Sequence, residues 1–228
     1  MNLDIVPQKN LWGLSQIECR NRELRSLVCI ANDTSESMLD EPIAEVRQGL
    51  KTMMKNLKED PVASLRCEVA LARFGHEIDI TPFTSVANVT LPNLVAKGRT
   101  PLAEVVLIAL EAIKRRRMEY QEEGIDCFKA MLYVMTDGAG TSPLSAMVEA
   151  RMRVVDVEKR NQVACFFIST RNGDMDQLAS LSVRPPLQMR DGMYQKMLEW
   201  VGKSVRVVSN SMPGDVVHMP QSKDWSVF

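Results

Sequence analysis

The sequence predicts an α/β fold: an open, doubly wound, mostly parallel sheet with one antiparallel edge strand and helices on both faces. Three observations predict it. Short apolar runs alternate with longer amphipathic stretches, the pattern of parallel strands joined by right-handed helical crossovers. The runs are apolar along their whole length, as strands covered on both faces must be. No Pro-, Ser- or Gly-rich linker divides the 228 residues, a length that suits one large domain.

The elements follow in order. Residues 24–31 (LRSLVCIA) are the first buried strand. Residues 40–58 place Ile43, Val46, Leu50, Met53 and Leu57 on one helix face, with Asp40 as cap and Pro42 in the first turn. Residues 66–74 and 77–82 read as an antiparallel strand pair turning at Gly75-His76, at one edge of the sheet. Thr100-Pro101 opens the longest helix, which runs to about Glu123. Its first half is apolar nearly all round and is expected to be buried. Its second half carries Lys114, Arg115, Arg116 and Arg117 and is expected to face solvent. Residues 130–135 (AMLYVM) and 163–169 (VACFFIS) are further buried strands. Between them, residues 143–160 form a helix expected to bury Leu144, Met147, Val148, Met152 and Val155. A short helix over 174–181, a short strand over 187–189 and a last helix over 194–208 complete the pattern.

The ends stand apart. Residues 1–22 precede the core by more than a usual connection and read as an added strand or arm. Residues 211–228 form a polar, turn-rich tail, whose Trp225 and Phe228 are expected to dock back on the domain.

Composition narrows the function. The 28 Lys and Arg against 29 Asp and Glu leave a net charge of −1, which argues against a surface given over to nucleic-acid phosphates. No apolar run is long enough to cross a membrane, and no secretory leader is visible. Five cysteines (Cys19, Cys29, Cys67, Cys127, Cys165), odd in number and with no CxxC spacing, read as reduced thiols of a cytoplasmic protein. With only His76 and His218, and no GxSxG or phosphate-loop motif, most hydrolase and nucleotide-binding schemes lose their parts.

What remains is oxygen. Ligands of open α/β sheets bind beyond the carboxyl ends of the strands. The first strand runs into Asp33-Thr34-Ser35-Glu36-Ser37, a later one into Thr136-Asp137-Gly138, and Thr100 stands where the long helix begins. Three loops thus bring Asp33, Ser35, Ser37, Thr100 and Asp137 to one edge. All five offer hard oxygen, which suits Mg²⁺, with Mn²⁺ or Ca²⁺ as alternatives, and suits zinc poorly. A site with three neutral hydroxyls leaves positive charge uncompensated on the cation and favours an Asp or Glu from a partner protein as its last ligand. Turn and cap formation would account for each residue singly, but not for the set.

This set resembles the metal-ion-dependent adhesion site of von Willebrand factor A domains: D-x-S-x-S, a distant threonine, then a strand ending in Thr-Asp-Gly. The likeness spans roughly residues 24–210, giving a domain over 23–210. Two stretches, DTSESM-x-DEPI-x-x-V-x-x-GL (residues 33–50) and residues 200–220 (WVGKSVRVVSNSMPGDVVHMP), resemble the bacterial tellurite-resistance (TerY-type) branch. The resemblance implies a Rossmann-like von Willebrand factor A fold, a Mg²⁺ site and a non-enzymatic role in assembling partners. It also implies a stress-response or phage-defence setting beside a protein kinase and a PP2C-type phosphatase. The chain departs from the family at Glu36, between the serines, and at Arg99, before the threonine. Glu36 either fills the sixth metal position or points to solvent and pairs with Arg99; exposed charge is the default and favours solvent. Two other classes stay open. A Mg²⁺-dependent phosphoryl-transfer enzyme on a similar sheet would want a second Asp two residues after Asp33 and a lysine at a strand end, and neither is present. A scaffold that holds no metal is the other.

Overall fold

The computed structural model describes residues 21–137, 139–170, 173–212 and 215–227. The arm up to residue 20, with Cys19, and the positions of Gly138 and Phe228 lie outside them. Seven strands form one mixed sheet: β1 (Ser26–Asp33), β2 (Cys67–Phe74), β3 (Ile78–Ile80), β4 (Thr84–Ser85), β5 (Ala130–Thr136), β6 (Val163–Ser169) and β7 (Leu187–Gln188). The order across the sheet is β3-β2-β1-β5-β6-β7, with β4 paired on β2 beyond β3. Pairing is parallel except for β3 and β4, both antiparallel to β2.

Six helices cover the faces: α1 (Glu41–Glu59), α2 (Pro61–Arg66), α3 (Leu102–Glu122), α4 (Leu144–Lys159), α5 (Met175–Leu181) and α6 (Tyr194–Ser209). Strand alternation divides the core in two. Leu27, Cys29 and Ala31 pack with α3, α4 and α5, while Val28 and Ile30 pack with α1, α2 and α6. From β1 the chain steps outward to β2, and after β3 and β4 it returns to the other side of β1 as β5. The reversal of direction lies between β1 and β5, and their carboxyl ends open the crevice of a doubly wound sheet. The same two strands carry Asp33 and Thr136-Asp137.

Several elements differ from expectation. α2 and β4 went unread: six residues and two are too short for a periodic signal. Asp40 does not cap α1 with its side chain; it takes φ 66°, and its carbonyl accepts from Ala44 N–H instead. On α4 the buried stripe is Met147, Ala150 and Val154, while Leu144, Val148 and Met152 are exposed. Apolar residues line two faces of that helix, and periodicity alone does not choose between them. The basic run of α3 is not wholly solvated either. Arg116 is buried in a two-pronged pair with Glu68, both contacts 2.7 Å, and Arg117 donates to the Phe128 carbonyl.

Trp225 is buried against Trp200, ring centres 5.2 Å apart, beside Tyr133 and Phe166. The tail is pinned there by a bridge between Met189 and Ser226. The thiols of Cys29, Cys67 and Cys165 are buried, and burial pushes each up to about 12. No helix among the described residues is long and apolar enough to cross a membrane.

Candidate metal centre

The site is built where β1 and β5 end side by side. Asp33, the last residue of β1, is 1% exposed. One carboxylate oxygen accepts from Ser35 N–H at 2.8 Å and the other from the Thr136 hydroxyl at 2.5 Å. Both interactions fix its orientation. The chain then enters a short 3-10 turn (Glu36–Met38), which brings Ser37 back over Ser35, with hydroxyl oxygens 2.9 Å apart. Ser37 donates in turn to Asp137 Oδ1 at 2.7 Å. Asp33, Ser35, Ser37 and Asp137 therefore form one continuous set of oxygen atoms contributed by two strand ends.

Thr100 is brought to this edge by the backbone. Lys97 N–H donates to the Thr34 carbonyl at 2.7 Å, and Glu36 N–H to the Gly98 carbonyl at 3.2 Å. The Thr100 carbonyl receives Thr141 N–H from the loop after β5 at 2.8 Å. Three loops are thereby stitched together around the oxygen set, and Thr100 itself is 5% exposed. Two glycines make this approach feasible. A Cβ on Gly75 would lie 2.5 Å from the Thr34 carbonyl oxygen, and Gly98 holds φ +89°. On the far side, the Gln177 amide brackets Gly140, accepting from its N–H and donating to its carbonyl.

Burial dominates the electrostatics. It lifts the Asp33 carboxyl to about 6, with a smaller push from the neighbouring Asp137 charge, against the lowering effect of the Thr136 and Ser35 hydrogen bonds. Burial likewise raises Asp137, opposed by the Ser37 hydrogen bond. Two neighbouring carboxyls, Asp33 buried and Asp137 half-buried, are disposed to accept a cation. Among the described residues no group of three or more His, Cys, Asp or Glu could hold a metal. Any cation here would rest on hydroxyls and two carboxylates, a hard-oxygen set matched to Mg²⁺.

Of the five residues expected from the sequence, Asp33, Ser35, Ser37 and Asp137 are joined by hydrogen bonds, and Thr100 stands in the adjoining loop. Glu36 is exposed, as expected, but among the described residues it forms no ion pair with Arg99. Sequence reasoning did not single out Thr136 as the group that orients Asp33, nor Asn32, buried beside it. The signal for Thr136 was its place in the Thr-Asp-Gly run; a polar residue inside an apolar strand was the signal for Asn32.

The von Willebrand factor type A domain model matches residues 28–197, and the chain belongs to that family. The comparison with curated proteins finds no match. Among solved structures, the chain resembles proximal thread matrix protein 1 of the mussel byssus, in a form with a zinc-occupied MIDAS motif (13% identity, TM-score 0.52, 79% of this chain and 48% of that one). It resembles the pilus adhesin SpaC of Lactobacillus rhamnosus GG in its open conformation (12%, TM-score 0.60, 81% and 31%). It also resembles a von Willebrand factor type A protein of Catenulispora acidiphila (10%, TM-score 0.59, 81% and 43%). At such identities the likeness is one of fold, and this chain spans less than half the length of each of the three.

Proposed function

We propose that the chain is a metal-dependent protein-interaction module. A divalent cation is held by Asp33, Ser35, Ser37, Thr100 and Asp137 and takes a carboxylate from a partner protein as its outermost ligand. The supporting observation is the run of close oxygen contacts from Ser35 to Ser37 to Asp137. Hydroxyls that hydrogen-bond one another without metal can turn their lone pairs to an ion. Asp33 Oδ1 accepts from Ser35 N–H and Oδ2 from the Thr136 hydroxyl, and each oxygen keeps a lone pair that would serve the ion directly or through water. Hard oxygen favours Mg²⁺, with Mn²⁺ and Ca²⁺ suited to the same donors. The zinc-occupied motif of the mussel protein puts zinc into the titration as well. The exposed Glu36 leaves the outer position to the partner.

The finer reading places the chain in the TerY-type branch and in the cytoplasm, acting without catalysis beside a protein kinase and a PP2C-type phosphatase. It rests on the likeness of residues 33–50 and 200–220 to that branch. Buried, protonated thiols suit a reducing compartment.

Titration calorimetry with each cation, followed by a peptide bearing one Asp or Glu added to the loaded protein, tests the proposal. The wild type binds cation and then peptide; Asp33→Ala binds neither and keeps its circular dichroism. Peptide binding that survives EDTA or Asp33→Ala sinks the metal-bridged mechanism. Mg²⁺-dependent hydrolysis of a phosphomonoester, lost in Asp33→Asn, would point to phosphoryl transfer instead.

A further inference from the structure

Asn32 has no part in the metal account, yet it is a buried polar residue at the same end of the sheet. It is 1% exposed, and among the described residues neither its Nδ2 nor its Oδ1 has a hydrogen-bond partner. Alternation along β1 puts it on the face of Val28 and Ile30, toward α1 and α6. There it lines a cavity walled by Met38, Val46, Met135, Ile168 and Met197, with Asp33 and Thr136 bordering it on the metal side. A primary amide brings two donors and an acceptor with two lone pairs. Thioethers and aliphatic groups offer no donor and only weak acceptors, and the amide stays unpaired among the described residues. Bare polar groups in such surroundings are strongly disfavoured and rare in native folds.

The free space in the cavity is about that of one water molecule. Other polar residues border the same space: Ser169 and Thr170 at the end of β6, and Tyr194 on α6. The contact of the Tyr194 hydroxyl with Met38 Sδ, at 3.6 Å, is a weak one that leaves the hydroxyl able to accept and to donate elsewhere. Cavity, amide and phenol together make a small binding site for a neutral molecule that both donates and accepts.

We infer that this cavity binds one water molecule, held between the Asn32 amide and the Tyr194 hydroxyl. The water ties the strand end that carries Asp33 to the first turn of α6, and it does so whether or not a metal is bound. It accounts for an amide in a strand whose neighbours Val28 and Ile30 are aliphatic.

The test uses metal-free protein in EDTA, so its outcome is independent of the cation. A high-resolution crystal structure is expected to show a density peak at hydrogen-bond distance, roughly 2.7–3.2 Å, from both Asn32 and Tyr194 Oη. An empty cavity, or an Asn32 amide satisfied by protein groups, overturns the inference. Thermal midpoints of Asn32→Leu, Tyr194→Phe and the double variant supply a second reading. Each single change lowers the midpoint, and the double loses less than the sum, because both remove the same water. Additive losses contradict the bridge. So does a raised midpoint in Asn32→Leu, the response of an orphaned polar group replaced by an apolar one of like size. Should Asn32→Leu fail to fold, the wild-type density and the density in Tyr194→Phe decide the matter alone.

Discussion

Asp33→Asn is expected to move stability in opposite directions with and without metal. In the metal-free protein, burial lifts the Asp33 carboxyl from 3.8 to about 6. The folded state therefore binds that proton more tightly than the unfolded state. The resulting stabilisation is fully present below pH 3.8 and is lost as pH rises through about 6. At pH 8 the gap amounts to about 3 kcal/mol held against the fold. Asparagine removes the charge and keeps one carbonyl oxygen for Ser35 N–H. Its amide faces the Thr136 hydroxyl, which must turn to accept, and that rearrangement offsets about 1 kcal/mol of the gain. The net is a stabilisation of about 1–2 kcal/mol, or roughly 2–8 °C in Tm for a domain of this size. Saturating Mg²⁺, at a hundredfold excess over Kd, adds about 2.7 kcal/mol to the wild type and nothing to the variant. Differential scanning calorimetry at pH 8, in EDTA and in Mg²⁺, should show the two midpoints change order. A variant less stable than wild type in EDTA would mean that Asp33 is a structural carboxylate. Equal responses to Mg²⁺ would mean that the ion sits elsewhere.

Other expectations reach different parts of the molecule. Ser37→Ala and Thr100→Ala should each weaken cation affinity in calorimetric titration while leaving the metal-free midpoint within a few degrees, since Ser37 is exposed and the buried Thr100 loses only a hydroxyl and a methyl group. Trp225→Ala should cost about 3–5 kcal/mol in denaturant unfolding, because the indole is buried against Trp200; a loss below about 1 kcal/mol would show that the tail does not dock in solution. Arg116→Met alone should cost about 3–5 kcal/mol by leaving Glu68 unpaired, and Glu68→Leu added to it should recover much of that loss. A thiol reagent at pH 8 should leave Cys29, Cys67 and Cys165 unlabelled in the native protein and label them on unfolding, as read by mass spectrometry.

The parts of the fold legible in the sequence are those that repeat a signal over many residues. The whole-run apolarity of 24–31 and 130–135 identified the two central strands, and spacing by three and four identified α1 and α6. The five proposed oxygen donors could be picked out because each ends or follows a strand or opens a helix, and the fold class sends such positions to one edge. What was missed depends on pairings distant in sequence. Arg116 reads as solvated beside Lys114 and Arg115 until Glu68, 48 positions earlier, comes under it. The exposed stripe of Leu144, Val148 and Met152 is as apolar as the buried one, and only the position of α4 over β6 and α3 separates them. Thr136 stands in the Thr-Asp-Gly run, but its role of orienting Asp33 comes from a contact 103 positions away.

The central claim is that a divalent ion sits among Asp33, Ser35, Ser37, Thr100 and Asp137 and keeps a position for an outside carboxylate. Anomalous diffraction from crystals grown with Mn²⁺ addresses it most directly. The account expects one strong peak at direct coordination distance, roughly 2.0–2.3 Å, from the Ser35 and Ser37 hydroxyl oxygens, with water or a neighbouring carboxylate on its open side. No peak at this edge, or a Glu36 carboxylate closing the sphere, would contradict it.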